Sequence, residues 1–303
     1  MVAMLYKTNI FGIVGSENNP EYKQNQVLIW DDLSNKVLYK ITLNDKVVNL
    51  KLRRDKIFIV TKAKIYILNP QSDYIISGVF DTGLNPTGLI AINYNEENII
   101  IVYPSCKEDQ EKGELTIKNL DNNEVKYLFP HAHKVTYIAL SYNGLLLATA
   151  SEEGKKIRIY DSETLEKLQE LNRGKEKAEI KYISIDFKNQ YLAASSERGT
   201  IHIWSLSQSL EKLNKSGKYK INEGDNKISN TGSVFSYLPS ILGGKFFDNE
   251  WSFAKVRLDE PYSIFHFGLD NSLIIITSSG KYYKAKIDPK KGEDCQILEE
   301  CCL

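Results

Sequence analysis

Short apolar segments rich in β-branched and aromatic residues recur along this 303-residue chain, and they constrain its fold more than any other feature. Examples are Ile10–Val14, Val27–Trp30, Val37–Leu43, Val47–Leu52, Ile57–Val60, Ile65–Leu68, Ile99–Tyr103, Tyr137–Leu140, Leu145–Ala150, Ile157–Tyr160, Ile201–Leu206 and Leu273–Thr277. Clusters of Gly, Asn, Asp, Pro and Lys separate them, the punctuation expected between strands. Long 3.6-residue periodicity is nearly absent. The stretch Ser162–Leu171 fits a short helix or a turn followed by an outer strand. The reading is an all-β chain. The strands group in fours, in units that start near Val2, Val47, Gly88, Val135, Ile180 and Tyr262. Their spacing is roughly 40–48 residues, except for the fifth unit, which an insertion after Leu206 stretches, and it suits four-stranded propeller blades.

Composition sets the function classes. Lys and Arg number 39 and Asp and Glu 39. A global basic field is excluded, so nucleic acid is not an expected partner and any anion site must be a local patch. Four cysteines, three of them in the last nine residues, make no disulfide framework and suit a reducing, cytoplasmic setting. No apolar run approaches the roughly 18 residues of a membrane span, and the first residues lack a secretory leader, so any membrane contact is expected to be peripheral. The ending Glu299-Glu300-Cys301-Cys302-Leu303 is not a prenylation box and reads as a last-strand tail. Nucleophile-elbow, Walker-type, His-Glu-x-x-His and Cys-x-x-Cys motifs are absent, so no catalytic residues, metal site or cofactor are expected. A propeller hydrolase would need acidic or His groups gathered at the axis, which the sequence does not display.

The third strands of several units end alike, at Ile29-Trp30-Asp31-Asp32, Arg158-Ile159-Tyr160-Asp161 and His202-Ile203-Trp204-Ser205. This resembles the closing dipeptide of WD repeats. Further segments carry a more specific likeness: Tyr6–Gly15, Val48–Ile57, Ala132-His133-Lys134, Leu146–Asp161, Leu171-Asn172-Arg173-Gly174, Ser195–Ile203 and Glu250–Lys255. Together they resemble the PROPPIN family, phosphoinositide-binding WD-repeat propellers of autophagy and endosomal membranes. The likeness covers nearly the whole chain. It implies a single β-propeller domain over 1–303. The family has seven blades and six are readable here; the segment at Met1 resembles the family's second blade, so either the sequence is a shortened one or six blades must close or stay open. An open ring exposes strand edges. A second departure lies in the family's paired-arginine signature, which reads Leu171-Asn172-Arg173-Gly174 here, without its first arginine.

The resemblance implies two headgroup sites. The better-kept one uses Arg173, Gly174, Ser196, Arg198, Thr200 and His202. An arginine fork meets phosphate in a bidentate manner, hydroxyls complete the cradle, and glycines let the backbone approach. Gly174 and Gly199 are expected to shape the turns, and His202 to gain affinity when protonated below about pH 6.5. The second, degenerate site uses His133, Thr149, Ser151, Gly154, Lys155, Arg158 and Asn172. Replacing a bidentate arginine by Asn172 weakens a phosphate contact by about 1.5–3 kcal/mol, the scale of a hydrogen bond to a charged group, and Lys155 replaces it only as a point charge. Arg158 reads equally well as an internal partner of an acidic neighbour. Outside these sets, Arg53-Arg54-Asp55 reads as a solvated hairpin corner, and His266, between Phe265 and Phe267, as a core or inter-blade residue.

An insertion spans about 207–247. It starts polar, with Lys212–Lys220 expected in a solvated loop, and ends apolar. Val234, Phe235, Tyr237, Leu238, Ile241, Leu242, Phe246 and Phe247 suit a segment that enters the water–lipid boundary. The combined expectation is a peripheral adaptor for membranes containing phosphatidylinositol 3-phosphate or the 3,5-bisphosphate. The resemblance also implies a protein partner such as a lipid-transfer protein of autophagy, and recruitment to autophagosomal, endosomal or vacuolar membranes. A WD-repeat protein scaffold without lipid binding is the competing expectation.

Overall fold

Alternation within each apolar segment turns successive side chains to opposite faces, and a strand that is apolar at nearly every position must be covered on both. The computed structural model meets that demand with sheets stacked face to face. It describes residues 1–16, 21–106, 113–221, 230–232, 250–258, 260, 262–288, 292 and 294–302. The apolar end of the insertion, Val234 to Phe247, lies outside the described residues.

Sheet 1 is β1 (Val2–Met4), β2 (Ile10–Val14), β3 (Gln26–Asp31) and β4 (Lys36–Thr42). Sheet 2 is β5 (Val47–Leu52), β6 (Ile57–Thr61), β7 (Lys64–Asn69) and β8 (Ile75–Asp81). Sheet 3 is β9 (Ala91–Ile92), β10 (Ile100–Pro104), β11 (Leu115–Asn119) and β12 (Val125–Leu128). Sheet 4 is β13 (Val135–Leu140), β14 (Leu146–Ser151), β15 (Lys156–Asp161) and β16 (Lys167–Asn172). The stretch that fitted either helix or strand is thus a turn and an outer strand. Sheet 5 begins with β17 (Ile180–Ile185), β18 (Tyr191–Ser196) and β19 (Thr200–Ser205). The chain then forms helix α1 (Ser207–Lys215) and the short strands β20 (Thr231–Gly232) and β21 (Glu250–Trp251) before β22 (Ala254–Arg257) completes sheet 5. Sheet 6 is β23 (Ser263–Phe267), β24 (Ser272–Thr277), β25 (Lys281–Lys286) and β26 (Gln296–Cys302), the last strand absorbing both terminal cysteines.

Every strand pair within these four-stranded units is antiparallel. In sheets 2, 4 and 5 the second strand is the most covered. All residues of β6, β14 and β18 are buried, whereas β8 and β26 lie largely exposed at the rim. The two faces of β18 serve different seams: Leu192 and Ala194 pack toward sheet 4, Tyr191 and Ala193 toward sheet 6. Five apolar clusters fill the seams between sheets 1 and 2, 2 and 3, 3 and 4, 4 and 5, and 5 and 6. At the two ends of this series the apolar faces stay uncovered. Ile264 (57%), Ile274 and Ile276 are exposed on sheet 6, and Val2 (64%) and Met4 on sheet 1.

Two sequence expectations need correction. Lys212–Lys220 is not a solvated loop. Its first part belongs to α1, whose Leu210 and Leu213 are buried, Leu213 in the cluster between sheets 4 and 5. Lys218 then pairs with Asp161 at 2.7 Å and Glu163 at 2.8 Å. Arg53 is not solvated either. It is 2% exposed, donates from Nε to Asp55 at 2.9 Å, and bonds the Asn93 carbonyl of the next sheet. Only Arg54 stands in solvent. His266 does bridge two blades, with Nδ1 3.0 Å from Ser184 Oγ.

Candidate functional site

Turns on one side of the propeller build the site at the seam of sheets 4 and 5. Strand β16 ends at Asn172, and Arg173 starts the crossing to sheet 5. Across the seam β18 ends at Ser196, and the Gly199 N–H donates back to the Ser196 carbonyl at 3.1 Å. This tight turn presents Arg198. It requires glycine at 199, where φ is +78° and a Cβ would meet the Leu258 carbonyl oxygen at 2.7 Å.

The six residues assigned to the better-kept site, Arg173, Gly174, Ser196, Arg198, Thr200 and His202, line one hollow of about 380 Å³. That volume lies within the range of small-molecule sites, roughly 300–1,000 Å³. Arg173 forms its floor. It is 6% exposed, donates from Nε to the Gly154 carbonyl at 2.8 Å, and bonds the Glu176 carbonyl through a terminal nitrogen. No carboxylate pairs with it among the described residues, so the guanidinium is held by neutral acceptors and keeps its positive field for the hollow. Arg198 is half exposed and pairs with Glu176 at the mouth. Gly174 differs from expectation. A Cβ there would meet nothing within 4 Å, so this glycine keeps space open rather than forcing a turn.

His202 also departs from its expected role. Burial first, then Lys255, Arg173 and Arg257, push its pKa down to about 4. The ring is therefore neutral in the empty hollow at ordinary pH and does not supply a charge below pH 6.5. Its Nδ1 is 3.0 Å from Ser252 Oγ, and it stacks on Trp204 with ring centroids 5.5 Å apart.

Sequence reasoning missed Lys175, Glu176, Lys255 and Arg257, which complete the lining. Lys255 and Arg257 come from β22, which pairs antiparallel with β19 so that His202 faces Lys255 and Thr200 faces Arg257. Cross-strand partners share a face. The available signal was the alternation Ala254-Lys255-Val256-Arg257. Using it required knowing that this strand returns to sheet 5 across the insertion. With Arg173, Lys175 and Arg198, the hollow is strongly cationic, and Glu176 is the one carboxylate in its lining.

The limb that leads into β22 is fastened on the way. β21 adds in parallel to β16, with Leu171 opposite Glu250 and Asn172 opposite Trp251. β20 pairs antiparallel with β21. Glu250 accepts from Gln169 at 2.7 Å and from Asn230. Gly232 and Glu250, which bracket the segment 233–249, therefore pair with each other, with Glu250 opposite Leu171 at the edge of β16.

The structure distributes the second set. Thr149 Oγ1 is buried 3.0 Å from His131 Nε2. Arg158 donates from Nε to Glu170 at 2.8 Å and also bonds the Pro130 carbonyl. Burial raises the Glu170 pKa, but hydrogen bonds from Lys156 and Arg158 outweigh it and hold the group at about 2. Lys155 pairs with Glu153 at 2.7 Å. Ser151 is buried at the end of β14, and Asn172 is buried beneath the returning limb. Gly154, with φ +56°, supports Arg173 through its carbonyl. His133 is exposed, 3.9 Å from Glu152, and lines a separate hollow of about 700 Å³ formed by turns of sheets 2 to 4. None of the other six residues lines that hollow.

Comparison with known proteins follows the same lines. The sequence profile of the PROPPIN family matches residues 5–303. Autophagy-related protein 18e of Arabidopsis thaliana is 30% identical over 298 residues, which is 98% of this chain and 74% of that protein. The crystal structure of Kluyvelomyces marxianus Hsv2 superimposes with a TM-score of 0.74 at 17% identity, over all of this chain and 85% of that one. KlAtg21, solved in complex with the coiled coil of AgAtg16, gives a TM-score of 0.76 at 18% identity, over all of this chain and 84% of that one.

Proposed function

The chain belongs to the PROPPIN family, and from that membership we propose that it is a peripheral membrane adaptor that holds a phosphoinositide headgroup in the Arg173 hollow. The headgroup is that of phosphatidylinositol 3-phosphate or the 3,5-bisphosphate. The observation that carries this reading is the convergence of Arg173, Ser196, Arg198, Thr200 and His202 on one hollow with a cationic lining. Phosphate oxygens need several donors at once, and the guanidinium at the floor is already oriented by two carbonyls, so little ordering cost remains on binding.

The protein acts by binding, not by catalysis, as one propeller domain over residues 1–303. Residues 234–247 press into the bilayer beside the seated headgroup. Their apolar composition supports that role. Headgroup and loop then act together, so a modest pocket suffices at a surface. The site of action is the cytoplasmic face of autophagosomal, endosomal or vacuolar membranes. A protein partner docks elsewhere on the propeller, a lipid-transfer protein or a coiled coil of the kind solved with KlAtg21.

Vesicle co-sedimentation tests this. Wild-type protein pellets with vesicles containing phosphatidylinositol 3-phosphate, and Arg173→Gln stays in the supernatant. Because Arg173 is buried, Arg198→Gln provides the control; that side chain is half exposed, and its loss weakens pelleting without touching the fold. Failure of folded wild-type protein to pellet with either lipid sinks the reading and leaves a protein scaffold.

A further inference from the structure

We infer that the face of the propeller opposite the Arg173 hollow carries a docking row for an amphipathic helix of a protein partner, built from Tyr94, Tyr142, Phe187 and Leu269 with Tyr6 at its far end. The inference gives a place and a chemistry to the protein partner of the reading above and does not depend on the headgroup. The hollow uses the turn between β18 and β19, whereas these residues stand on turns between first and second strands, at the other ends of the strands.

One position recurs in every sheet. The second residue past the first strand is Tyr6, Arg54, Tyr94, Tyr142, Phe187 and Leu269 in sheets 1 to 6. The residue before it closes the turn, donating its N–H across the hairpin at 2.8–3.3 Å in all six cases, from Leu5, Arg53, Asn93, Ser141, Asp186 and Gly268. The next side chain is thereby held just outside the ladder, at the tip. Hairpin tips ordinarily carry Gly, Asn, Asp, Ser or Pro, and here five of the six are aromatic or Leu. Tyr6 is 37% exposed, Tyr142 40%, Phe187 66% and Leu269 99%. The tips also meet. Arg54 lies over the Tyr6 ring at 5.8 Å, and Tyr6 packs edge-on against Tyr94 at 5.7 Å and donates its hydroxyl to the Tyr94 carbonyl. The Tyr94 N–H donates to the Tyr142 carbonyl at 3.0 Å, and the Tyr142 and Phe187 rings lie 4.7 Å apart. Single exposed apolar residues are ordinary, but a contiguous row marks an interaction site.

Composition and geometry select a helix. Aromatic side chains at the centre with charges at the rim match the make-up of protein interface cores. The exposed charges on the six turns balance, Lys7, Arg54 and Lys188 against Glu96, Glu97 and Asp270, so an anionic bilayer gains no net attraction here. A balanced rim suits a helix whose apolar stripe is flanked by both signs. Strand addition needs a run of free backbone groups along a sheet edge, and each of these turns already uses its ladder position for its own closing bond. A helix brings its backbone satisfied and offers side chains at i, i+3 and i+4 about 5–6 Å apart, the spacing of the paired rings.

A displayed library of amphipathic helices about 18 residues long (roughly 27 Å) is selected on the full-length protein, and the enriched peptides are titrated by fluorescence anisotropy. Helical peptides are enriched, and Tyr142→Ser/Phe187→Ser and Leu269→Asp each weaken their binding by about tenfold or more. Both variants keep wild-type pelleting with phosphoinositide vesicles, and Arg198→Gln, which weakens pelleting, keeps wild-type helix binding. Helix binding by a protein that fails to pellet therefore supports this inference while the headgroup reading falls. No enriched helix, or peptides that bind the variants as well as wild type, overturn it. Self-association in sedimentation that the substitutions abolish assigns the row to a second copy, and pelleting with phosphoinositide-free vesicles that they abolish assigns it to a bilayer; either result also overturns the inference. Melting curves check the fold, and if the double variant unfolds, Leu269→Asp decides alone, because that side chain is 99% exposed.

Discussion

Ser252 Oγ lies 3.0 Å from His202 Nδ1 and ties the limb returning from the insertion to the wall of the cationic hollow. Ser252 sits between β21, which is fastened to β16, and β22, which delivers Lys255 and Arg257. The limb returning from the insertion thus supplies two of the ten residues that line the hollow. Ser252→Ala removes a neutral hydrogen bond worth about 1 kcal/mol and frees the His202 ring. Headgroup affinity falls several-fold in calorimetry, with a small loss in melting temperature. Wild-type affinity in this variant would show that the contact has no positioning role.

Two glycines near the hollow separate stability from binding. At Gly154 a Cβ would lie 1.8 Å from the Ala178 carbonyl oxygen, and φ is +56°. Gly154→Ala must move backbone at the seam that holds Arg173, and it lowers stability by about 3 kcal/mol or more. Gly174→Ala meets nothing and leaves the melting temperature within about 1 °C, the range of a neutral surface change. Where it affects anything, it narrows the space for the headgroup. A Gly174→Trp change sharpens the test, blocking vesicle pelleting without unfolding the protein.

The pH response comes from histidines that fold neutral. Burial first, then Arg158, push His131 down to about 4. Its folded pKa lies below the unfolded value of about 6.5, so its stabilising contribution is intact above 6.5 and is lost as pH falls toward 4. Burial pushes Asp186 the opposite way, up to about 6, which partly offsets that loss in the whole protein. The clean measurement is therefore a difference. In urea titrations the stability gap between wild type and His131→Gln shrinks by about 2 kcal/mol between pH 7.5 and pH 5. A gap independent of pH would show that His131 does not titrate as described.

For the empty hollow, the low pKa of His202 predicts that this ring adds no pH dependence to headgroup binding between pH 6 and 8, so wild type and His202→Gln follow the same profile, set by the phosphate's own ionisation at about pH 6. A bound anion draws the pKa upward, so affinity rises only at lower pH. Pelleting that rises as pH falls through about 6.5 in wild type but not in His202→Gln would place the proton on His202 in the free protein and contradict its burial.

Helix α1 is expected to matter for folding rather than for lipid. Leu213 is 1% exposed in the cluster between sheets 4 and 5. Leu213→Ala costs about 2–5 kcal/mol in denaturant titration, while the surviving folded protein binds headgroup with wild-type affinity.

The strands and their grouping in fours were determined by the chain alone, because the middle strands of the inner sheets are buried on both faces and so must be apolar at almost every position. The local part of the site was equally legible. Arg173 directly follows β16, and Ser196 to His202 span the end of β18, one tight turn and the start of β19, with Gly199 placed where only glycine fits. Contacts between distant segments decided the rest. Arg53 looked solvated until the Asn93 carbonyl, 40 residues away, came to meet it. The helical spacing of Leu206, Leu210 and Leu213 was hidden by the polar residues between them. Lys255 and Arg257 joined the hollow only because β22 pairs with β19 across the whole insertion, and Arg158 was drawn to Glu170 by strand register. A local pattern is set by which faces a segment must bury, whereas the partner that fills a given face depends on register and pairing, which only the folded chain settles.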